Sequence, residues 1–486
     1  MSAQTYKKLL LKKLVLGLSF GLMLSANASL FSTTSVQASQ GDSDAQFTLG
    51  LMYAEGDGVK QNYAKSIEWY QKAANQGNSD AQFNLGLLYA DGEGVKQDYV
   101  KSAEWYQKAA NQGDSDAQYI IGTLYDTGTG IKQNYAKAVE WYQKAANQGN
   151  SDAQFNLGVT YDKGEGVKQN YAKAIEWYQK AANQGHANAQ NNLGLIYYKS
   201  KGVPQNYTKA AEWFQKSANQ GNPDGQNNLA TMYGKGHGVR KDQAKEAELY
   251  KNSAIQGHDI AQNNLGYAYH KGQGVKQDYP KAIEWYQKAA KQGNSNAQNN
   301  LGTMYLNGEY VTQNSAKAAE MFRKAANQGH AEGQSNLGWL YYLGEGVERN
   351  SAKAVELYTK AVQQGSALGE NNLGLAYYEG NGVKKDYNQA FKWYQKAANQ
   401  GLAKAQYNLA IMHYSGDGTP QSYSKAVTLY EKAASQGDAT ALNNLGLMYD
   451  KGVGVTKNMK RAKELYGEAC EAGDQTGCDN YRKISK

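Results

Sequence analysis

Proline, cysteine and histidine are scarce in this chain, with 4, 2 and 6 residues among 486. So little proline argues against a proline-rich disordered chain. Two cysteines without neighbouring histidines do not supply the four ligands of a structural zinc site. The six histidines form no His-x-x-x-His pair and have no single repeat position common to all of them, so they imply no metal or acid/base site. No cofactor is expected. The histidines are His186, His237, His258, His270, His330 and His413.

A large net charge and long apolar runs are also lacking. The formal net charge is +8, and it falls to about +4 without the four lysines of residues 1–28. Such a small excess predicts no nucleic-acid partner. A single apolar run, from Leu14 to Leu24, follows those lysines and is too short for a membrane span of about 20 residues.

The order of basic start, apolar run and Ala26-Asn27-Ala28 is typical of a secretory signal peptide. We predict a signal over residues 1–28, with cleavage after Ala28 or alternatively after Ala38, and a short linker over residues 29–40. The mature protein is then expected in the periplasm or secreted, without stable insertion in a membrane.

Glycine and tyrosine are abundant, with 53 and 39 residues, and the glycines recur with a strict period. A Leu-Gly pair, replaced by Ile-Gly in one unit and by Leu-Ala in two, returns every 36 residues, twelve times without insertion or deletion. This regularity predicts a repeat protein over residues 41–473 rather than several globular domains. The second residues of these pairs are Gly50, Gly86, Gly122, Gly158, Gly194, Ala230, Gly266, Gly302, Gly338, Gly374, Ala410 and Gly446.

Each repeat reads as two helices. In one unit, Ala81, Leu85, Leu88 and Tyr89 share one face of a first helix, and a second helix begins after Asp98. A side-chain cap is predicted at that start in every unit. The small Gly86 lets the two helices approach closely. One hairpin cannot bury both faces, so stacking into a continuous solenoid follows. The predicted caps are Asn62, Asp98, Asn134, Asn170, Asn206, Asp242, Asp278, Asn314, Asn350, Asp386, Ser422 and Asn458.

The motif Ala-Gln-x-Asn-Leu-Gly-x-x-Tyr-x-x-Gly-x-Gly-Val, followed by Asp/Asn-Tyr-x-Lys-Ala-x-x-Trp-Tyr-x-Lys-Ala-Ala-x-x-Gly, resembles the Sel-like repeat family, a relative of tetratricopeptide repeats. The resemblance implies an all-α, right-handed superhelical solenoid of twelve helix-turn-helix repeats. It also implies an adaptor or scaffold that is not an enzyme. Its partners would be proteins or extended peptides, in envelope assembly or host interaction.

The resemblance further implies a role for the Asn before each Leu-Gly, because the matching residue of tetratricopeptide-like proteins lies on the concave side and can bind a peptide backbone. An amide offers both a donor and an acceptor to such a backbone. The alternative is that this Asn bonds within or between helices of the repeat. Thr48 and Ile120 are the exceptions, and the ten candidate residues are Asn84, Asn156, Asn192, Asn228, Asn264, Asn300, Asn336, Asn372, Asn408 and Asn444.

Two further positions vary between repeats. Seven units carry Trp at one position of the second helix, and the other five carry Leu or Met there, at positions 249, 321, 357, 429 and 465. Leu and Met fill a similar apolar volume, which favours repacking of the core. The residue before the candidate Asn is itself Asn in six units and aromatic at Phe83, Phe155 and Tyr407. This difference predicts a more aromatic N-terminal surface and a more polar middle.

The two cysteines, Cys470 and Cys478, lie across a helix-turn-helix connection, which favours a disulfide in an exported chain. A nine-residue loop closed in this way constrains the unfolded chain by about 2.5 kcal/mol in the entropic model. Residues 474–486 are expected to form a polar half-repeat that caps the final hairpin.

Two other functions remain open. Some exported relatives have been linked to β-lactam binding or hydrolysis, and Ser422-Tyr423-Ser424-Lys425 matches Ser-x-x-Lys. Its companion motifs Ser-Asp-Asn and Lys-Thr-Gly are missing, however, and Ser422 occupies the cap position. Envelope polysaccharide binding through stacking tyrosines is the second alternative, although most tyrosines recur at core positions.

Overall fold

The computed structural model describes residues 24–485, with side chains described for residues 30–485. Every regular element in this range is an α-helix, and there are 26 of them. The first, α1, spans Leu24–Ser39. The basic start and nearly all of the apolar run of the predicted signal fall in residues 1–23, outside the described residues. No helix within 24–485 is both long and apolar enough to cross a bilayer.

One compact unit extends to Asp242 and contains α1 to α12. After α1, its helices are Ser43–Glu55 (α2), Tyr63–Asn75 (α3), Ser79–Asp91 (α4), Tyr99–Asn111 (α5), Ser115–Thr127 (α6), Tyr135–Asn147 (α7), Ser151–Lys163 (α8), Tyr171–Asn183 (α9), Ala187–Lys199 (α10), Tyr207–Asn219 (α11) and Pro223–Lys235 (α12). Even-numbered helices are the first helices of the repeats and odd-numbered ones the second.

The second compact unit begins at Gln243. Its helices are Gln243–Ile255 (α13), Asp259–Lys271 (α14), Tyr279–Lys291 (α15), Ser295–Asn307 (α16), Ser315–Asn327 (α17), Ala331–Leu343 (α18), Ser351–Gln363 (α19), Ala367–Glu379 (α20), Tyr387–Asn399 (α21), Ala403–Ser415 (α22), Tyr423–Ala434 (α23), Ala439–Lys451 (α24), Met459–Glu471 (α25) and Gln475–Ile484 (α26). Within each unit every helix packs against the next. The predicted all-α hairpin architecture is confirmed, whereas the right-handed superhelical twist stays a prediction.

Side-chain caps and glycines set the ends of these helices. Asn62 accepts the amide hydrogen of Lys65 at 3.0 Å, as predicted for the second helices. The first helices are capped in the same way by a residue that the sequence reading did not single out, since the Asn78 side chain accepts the amide of Ala81 at 2.8 Å. Gly92 ends α4 in the left-handed conformation, at φ 75°, which glycine adopts without steric cost.

Close contact between the two helices of a hairpin depends on the glycine of Leu-Gly. A Cβ atom at Gly86 would lie 2.8 Å from Cδ1 of Tyr106, whose side chain is fully buried. Neighbouring hairpins are joined by a buried amide, because Gln82 donates to the carbonyl of Ala74 at 3.0 Å and accepts from Gln112 at 2.8 Å. Steric fit therefore fixes each hairpin, and hydrogen bonds help fix the stack.

The segment predicted as a linker, residues 29–40, differs from that expectation because α1 continues to Ser39. Ala38 is 1% exposed and packs with Ala45 and Leu49, and its carbonyl accepts a hydrogen bond from Gln46 at 3.1 Å. Ala38 stands one repeat length before Ala74, so α1 takes the place of a missing second helix. It covers the apolar side of the first hairpin, which a flexible linker would leave open to water.

At the other end, α26 packs against α25 and α24, and Cys470 is bonded to Cys478 with their Cα atoms 4.5 Å apart. The bond joins α25 to the short terminal helix α26, in which Gly477 is the one buried residue. With so little buried surface, the attachment of α26 depends strongly on the covalent link.

Replacing both cysteines with alanine is expected to release α26 before the rest of its unit unfolds. The loop-closure estimate corresponds to a local loss of about 2.5 kcal/mol, which would speed opening of α26 by roughly 70-fold at constant closing rate. Amide hydrogen exchange of residues 475–484 measures this opening. Exchange in α20, which is distant from the bond, is the internal control. Unchanged exchange in α26 would show that side-chain packing alone holds it.

Candidate binding face

The ten candidate asparagines occupy one equivalent position on the first helices. We call the side of these helices that carries them the ladder face. Asn84, Asn156, Asn192 and Asn228 lie in the first unit, and Asn264, Asn300, Asn336, Asn372, Asn408 and Asn444 lie in the second. Nine of them are half-buried, and Asn372 is buried with 6% exposure. Their side chains are therefore part of the packing between hairpins.

Several ladder asparagines donate to the preceding hairpin. The Nδ2 atom of Asn336 lies 2.9 Å from Oδ1 of Asn299, and that of Asn408 lies 2.9 Å from Oδ1 of Asn371. Bonds of the same kind join Asn228 to Asn191 at 2.8 Å and Asn300 to Asn263 at 3.1 Å. Asn264 and Asn372 each accept from the asparagine immediately before them, at 3.3 and 3.2 Å.

The remaining ladder asparagines have other partners. Asn84 donates to the carbonyl of Asp80 in its own helix at 3.0 Å. Asn156 and Asn192 hydrogen-bond the hydroxyls of Tyr142 and Tyr178, and Asn444 lies 3.5 Å from the hydroxyl of Tyr430. Burial raises the pKa of the Tyr178 hydroxyl, and the bond to Asn192 opposes that rise in part. The hydroxyl is therefore neutral at physiological pH.

These bonds match the alternative that the sequence left open, in which the repeated Asn bonds within or between helices. A buried amide needs such partners, because an unpaired one costs about 1–3 kcal/mol. Each donating Asn uses one of its two amide hydrogens in this way. Contact of the same side chains with a peptide stays a prediction.

The doubled asparagines require a correction. They were expected to divide the surface into an aromatic and a polar part, but the first Asn of each pair is buried. Asn191, Asn227, Asn263, Asn299, Asn371 and Asn443 are 5–8% exposed. Periodicity places these residues on a helix face, but it does not show that the next hairpin covers that face. Their polarity serves bonds inside the stack.

Two aromatic residues on the ladder face of the second unit were missed by the sequence reading. Tyr267 and Trp339 each follow a ladder asparagine by three residues, and residues so spaced share a helix face. Tyr267 is 44% exposed, and half-buried Trp339 stacks on Tyr342 with ring centroids 5.4 Å apart. Other hairpins carry an aliphatic residue or Thr there, such as Thr303. The sequence signal that could have identified Tyr267 and Trp339 is the change to an aromatic residue at one position of the repeat.

The Ser-x-x-Lys match is accounted for by helix capping. Ser422 caps α23, with its Oγ atom accepting the amide hydrogen of Lys425 at 3.4 Å. The position is the one that Asn62 and its equivalents occupy in the other hairpins. The expectation that most tyrosines lie in the core is wrong, because fewer than half of the described tyrosines are buried, among them Tyr106, Tyr142 and Tyr286 with 0% exposure.

Comparison with known proteins assigns the family. The Sel1 repeat model matches twelve successive segments: residues 43–78, 79–114, 115–150, 151–186, 187–222, 223–258, 259–294, 295–330, 331–366, 367–402, 403–438 and 439–474. The chain belongs to the Sel1 repeat family. This confirms the resemblance drawn from the motif and the twelve repeats of 36 residues.

The chain is also similar to solved structures, the first of which agrees with the Sel1 repeat assignment. A protein from uropathogenic Escherichia coli, c5321, described as a protective antigen displaying an SLR fold, is 37% identical over 94% of this chain and 97% of its own, with a TM-score of 0.73. A Sel1 repeat protein from Oxalobacter formigenes is 33% identical over 50% of this chain and 96% of its own, with a TM-score of 0.47. None of the curated protein sequences compared with the chain matches it.

Proposed function

We propose that this Sel1 repeat protein is a non-enzymatic scaffold that binds a protein or an extended peptide along the ladder face of its second unit. Repeat solenoids of this kind typically bind proteins. The observation that carries the proposal is the pairing of half-exposed Tyr267 and Trp339 with ladder asparagines on the same helices. Tyrosine and tryptophan are enriched among residues that dominate binding energy. The neighbouring amides would bond the backbone of the bound segment.

The variant Tyr267→Thr/Trp339→Thr tests this face. Threonine occupies the same position at Thr303, so the fold should tolerate both changes. Peptides selected from a displayed random library on the immobilised wild-type protein would be titrated in solution against each variant. Loss of aromatic anchors is expected to weaken binding by about tenfold or more.

The matched control is Tyr423→Ser, which removes a tyrosine of similar exposure, 38%, outside the ladder face. Serine stands at the equivalent positions Ser315 and Ser351. The control should bind like the wild type. If the double variant keeps full affinity for the selected peptides, Tyr267 and Trp339 are not the anchors and this site must be abandoned.

The proposal also includes a location outside the cytoplasm, in the periplasm or secreted, with a role in envelope assembly or host interaction. It is supported by the signal-like residues 1–28, by the disulfide and by the description of the E. coli relative as a protective antigen. Cleavage after Ala28 leaves most of α1 to cover the first hairpin, whereas cleavage after Ala38 removes nearly all of it.

We therefore expect the full chain, expressed in a bacterial host, to be recovered outside the cytoplasm with Ser29 as its first residue. Intact mass of the exported protein measures this directly. A start at Ser39 would show that α1 is dispensable. Full-length chain confined to the cytoplasm would rule out export.

A further inference from the structure

A cavity of about 390 Å³ opens between α21 and α23, the second helices of two successive hairpins. Its lining includes Phe391, Leu409, His413, Lys425 and Leu429. The volume falls within the usual range of small-ligand pockets. Because the cavity lies between second helices, a ligand there would not depend on the ladder face.

The same place is filled in another pair of hairpins. Four lining residues of the cavity have counterparts nine repeat lengths earlier that form one buried cluster, namely Ile67, Leu85, Tyr89 and Trp105. Trp105, which is 8% exposed, is the counterpart of Leu429. The cavity is therefore the volume that an indole occupies elsewhere in this chain. As the sequence favoured, Leu429 packs against the core, here together with Phe391, and a cavity remains beside them.

The repeats also show how such an indole is held. Seven tryptophans occupy this position, and each has a lysine three residues later whose Nζ atom lies 3.7–4.4 Å from the ring centroid. A cation at that distance from an indole face is attracted to it. Lys432 holds the corresponding place after Leu429, where the chain supplies no ring.

His413 adds an acceptor nitrogen that the filled site does not have. Its side chain is 5% exposed and stands where Tyr89 stands in the filled site. The ring bonds the carbonyl of Pro420, and Nδ1 is buried without a partner, so Nε2 makes that bond. Burial lowers the pKa of His413, with nearby Lys425 acting in the same direction. The neutral ring therefore presents the Nδ1 lone pair as an acceptor.

We propose that this cavity is a socket for the tryptophan side chain of a partner protein. The indole would occupy the volume left by Leu429, with Lys432 facing the ring and the indole N–H donating to Nδ1 of His413. Indole nitrogen is a donor only, which matches an acceptor without a partner. A buried polar atom left without a partner is uncommon and calls for an explanation. The tryptophan of a partner protein provides the missing hydrogen-bond donor to Nδ1 of His413.

A second cavity, of about 430 Å³, lies at Leu357, where Leu again replaces Trp. Its lining is charged, with Arg323, Lys353, Glu356 and Lys360, and it keeps Tyr341 in the place of the histidine. It lacks the acceptor nitrogen, and it therefore serves as an internal control for the socket at Leu429.

The test is titration of the full-length protein with N-acetyltryptophanamide and with its 1-methyl analogue, which has no ring N–H. Saturable binding with a dissociation constant on the order of 1 mM is expected for a probe of this size. The 1-methyl analogue should bind at least about fivefold more weakly, because Nδ1 then stays unpaired. Leu429→Trp should fill the socket and abolish binding, whereas Leu357→Trp should leave it unchanged.

His413→Tyr restores the residue of the filled hairpins and removes the acceptor nitrogen. It should lose the preference for the ring N–H over the 1-methyl analogue, a result that a purely structural role of His413 would not give. The proposal is overturned if the wild type binds neither probe, if Leu429→Trp binds as well as the wild type, or if the wild type binds the two probes equally.

Discussion

Gly158→Leu is expected to lower the free energy of unfolding by more than about 3 kcal/mol. A Cβ atom at this position would lie 2.5 Å from Cδ1 of Tyr178. The ring of Tyr178 is 1% exposed and has no room to move aside. Leucine adds three further carbons in the same direction, so α8 and α9 must separate. Overpacking costs about 1–3 kcal/mol where a core adjusts locally, and separation of two helices adds to that.

The chain itself shows what the position tolerates. Ala410 takes the place of the glycine in one hairpin, where it is fully buried. The facing Tyr430 is 3% exposed, compared with 1% for Tyr178. A single methyl group is therefore accommodated. Gly158→Ala should cost much less than Gly158→Leu, and the higher helix propensity of alanine, about 1 kcal/mol, offsets part of that cost.

Chemical denaturation followed by circular dichroism measures these losses. Ala172→Leu is the matched control, because it adds similar bulk at an exposed position of the same hairpin. Its effect should stay within about 0.5 kcal/mol. If Gly158→Leu were as stable as this control, close contact through the glycine would not be what holds the hairpin together.

The sequence predicted the hairpins because their determinants are local. The cap at Asn62 and the apolar face that ends at Tyr89 lie within single helices. The 36-residue period also marked Gly86 as a point of close approach. Each of these features is repeated, so the structure predicted for one unit also applied to the other units.

What the sequence did not predict depends on contacts between hairpins. Asn299 is polar, and periodicity gave no sign that the side chain of Asn336 would cover it. The exchange of Trp for Leu429 conserves apolar character, so it was read as repacking. Whether the lost volume is refilled depends on how far α21 and α23 approach each other, which no local pattern records.

Asn299→Phe is expected to destabilise the protein by about 2 kcal/mol, because it removes the acceptor for Asn336 and leaves a half-buried amide unpaired. Elsewhere in the stack an aromatic residue at this position is tolerated. Phe155 stands there in α8, and the following ladder residue, Asn192, bonds the hydroxyl of Tyr178 instead. Such a hydroxyl partner is not present for Asn336.

The residue equivalent to Tyr178 is Phe322, which has no hydroxyl to take the place of Asn299 as a partner of Asn336. The chain also contains the apolar form of the pair, in which Phe83 and Ile120 are 3% and 0% exposed in one cluster. Asn299→Phe/Asn336→Ile copies it and should recover most of the lost stability. A double-mutant cycle by chemical denaturation should therefore give a coupling energy of at least about 1 kcal/mol. Additive effects of the two changes would mean that the bond between Asn336 and Asn299 does not stabilise the stack.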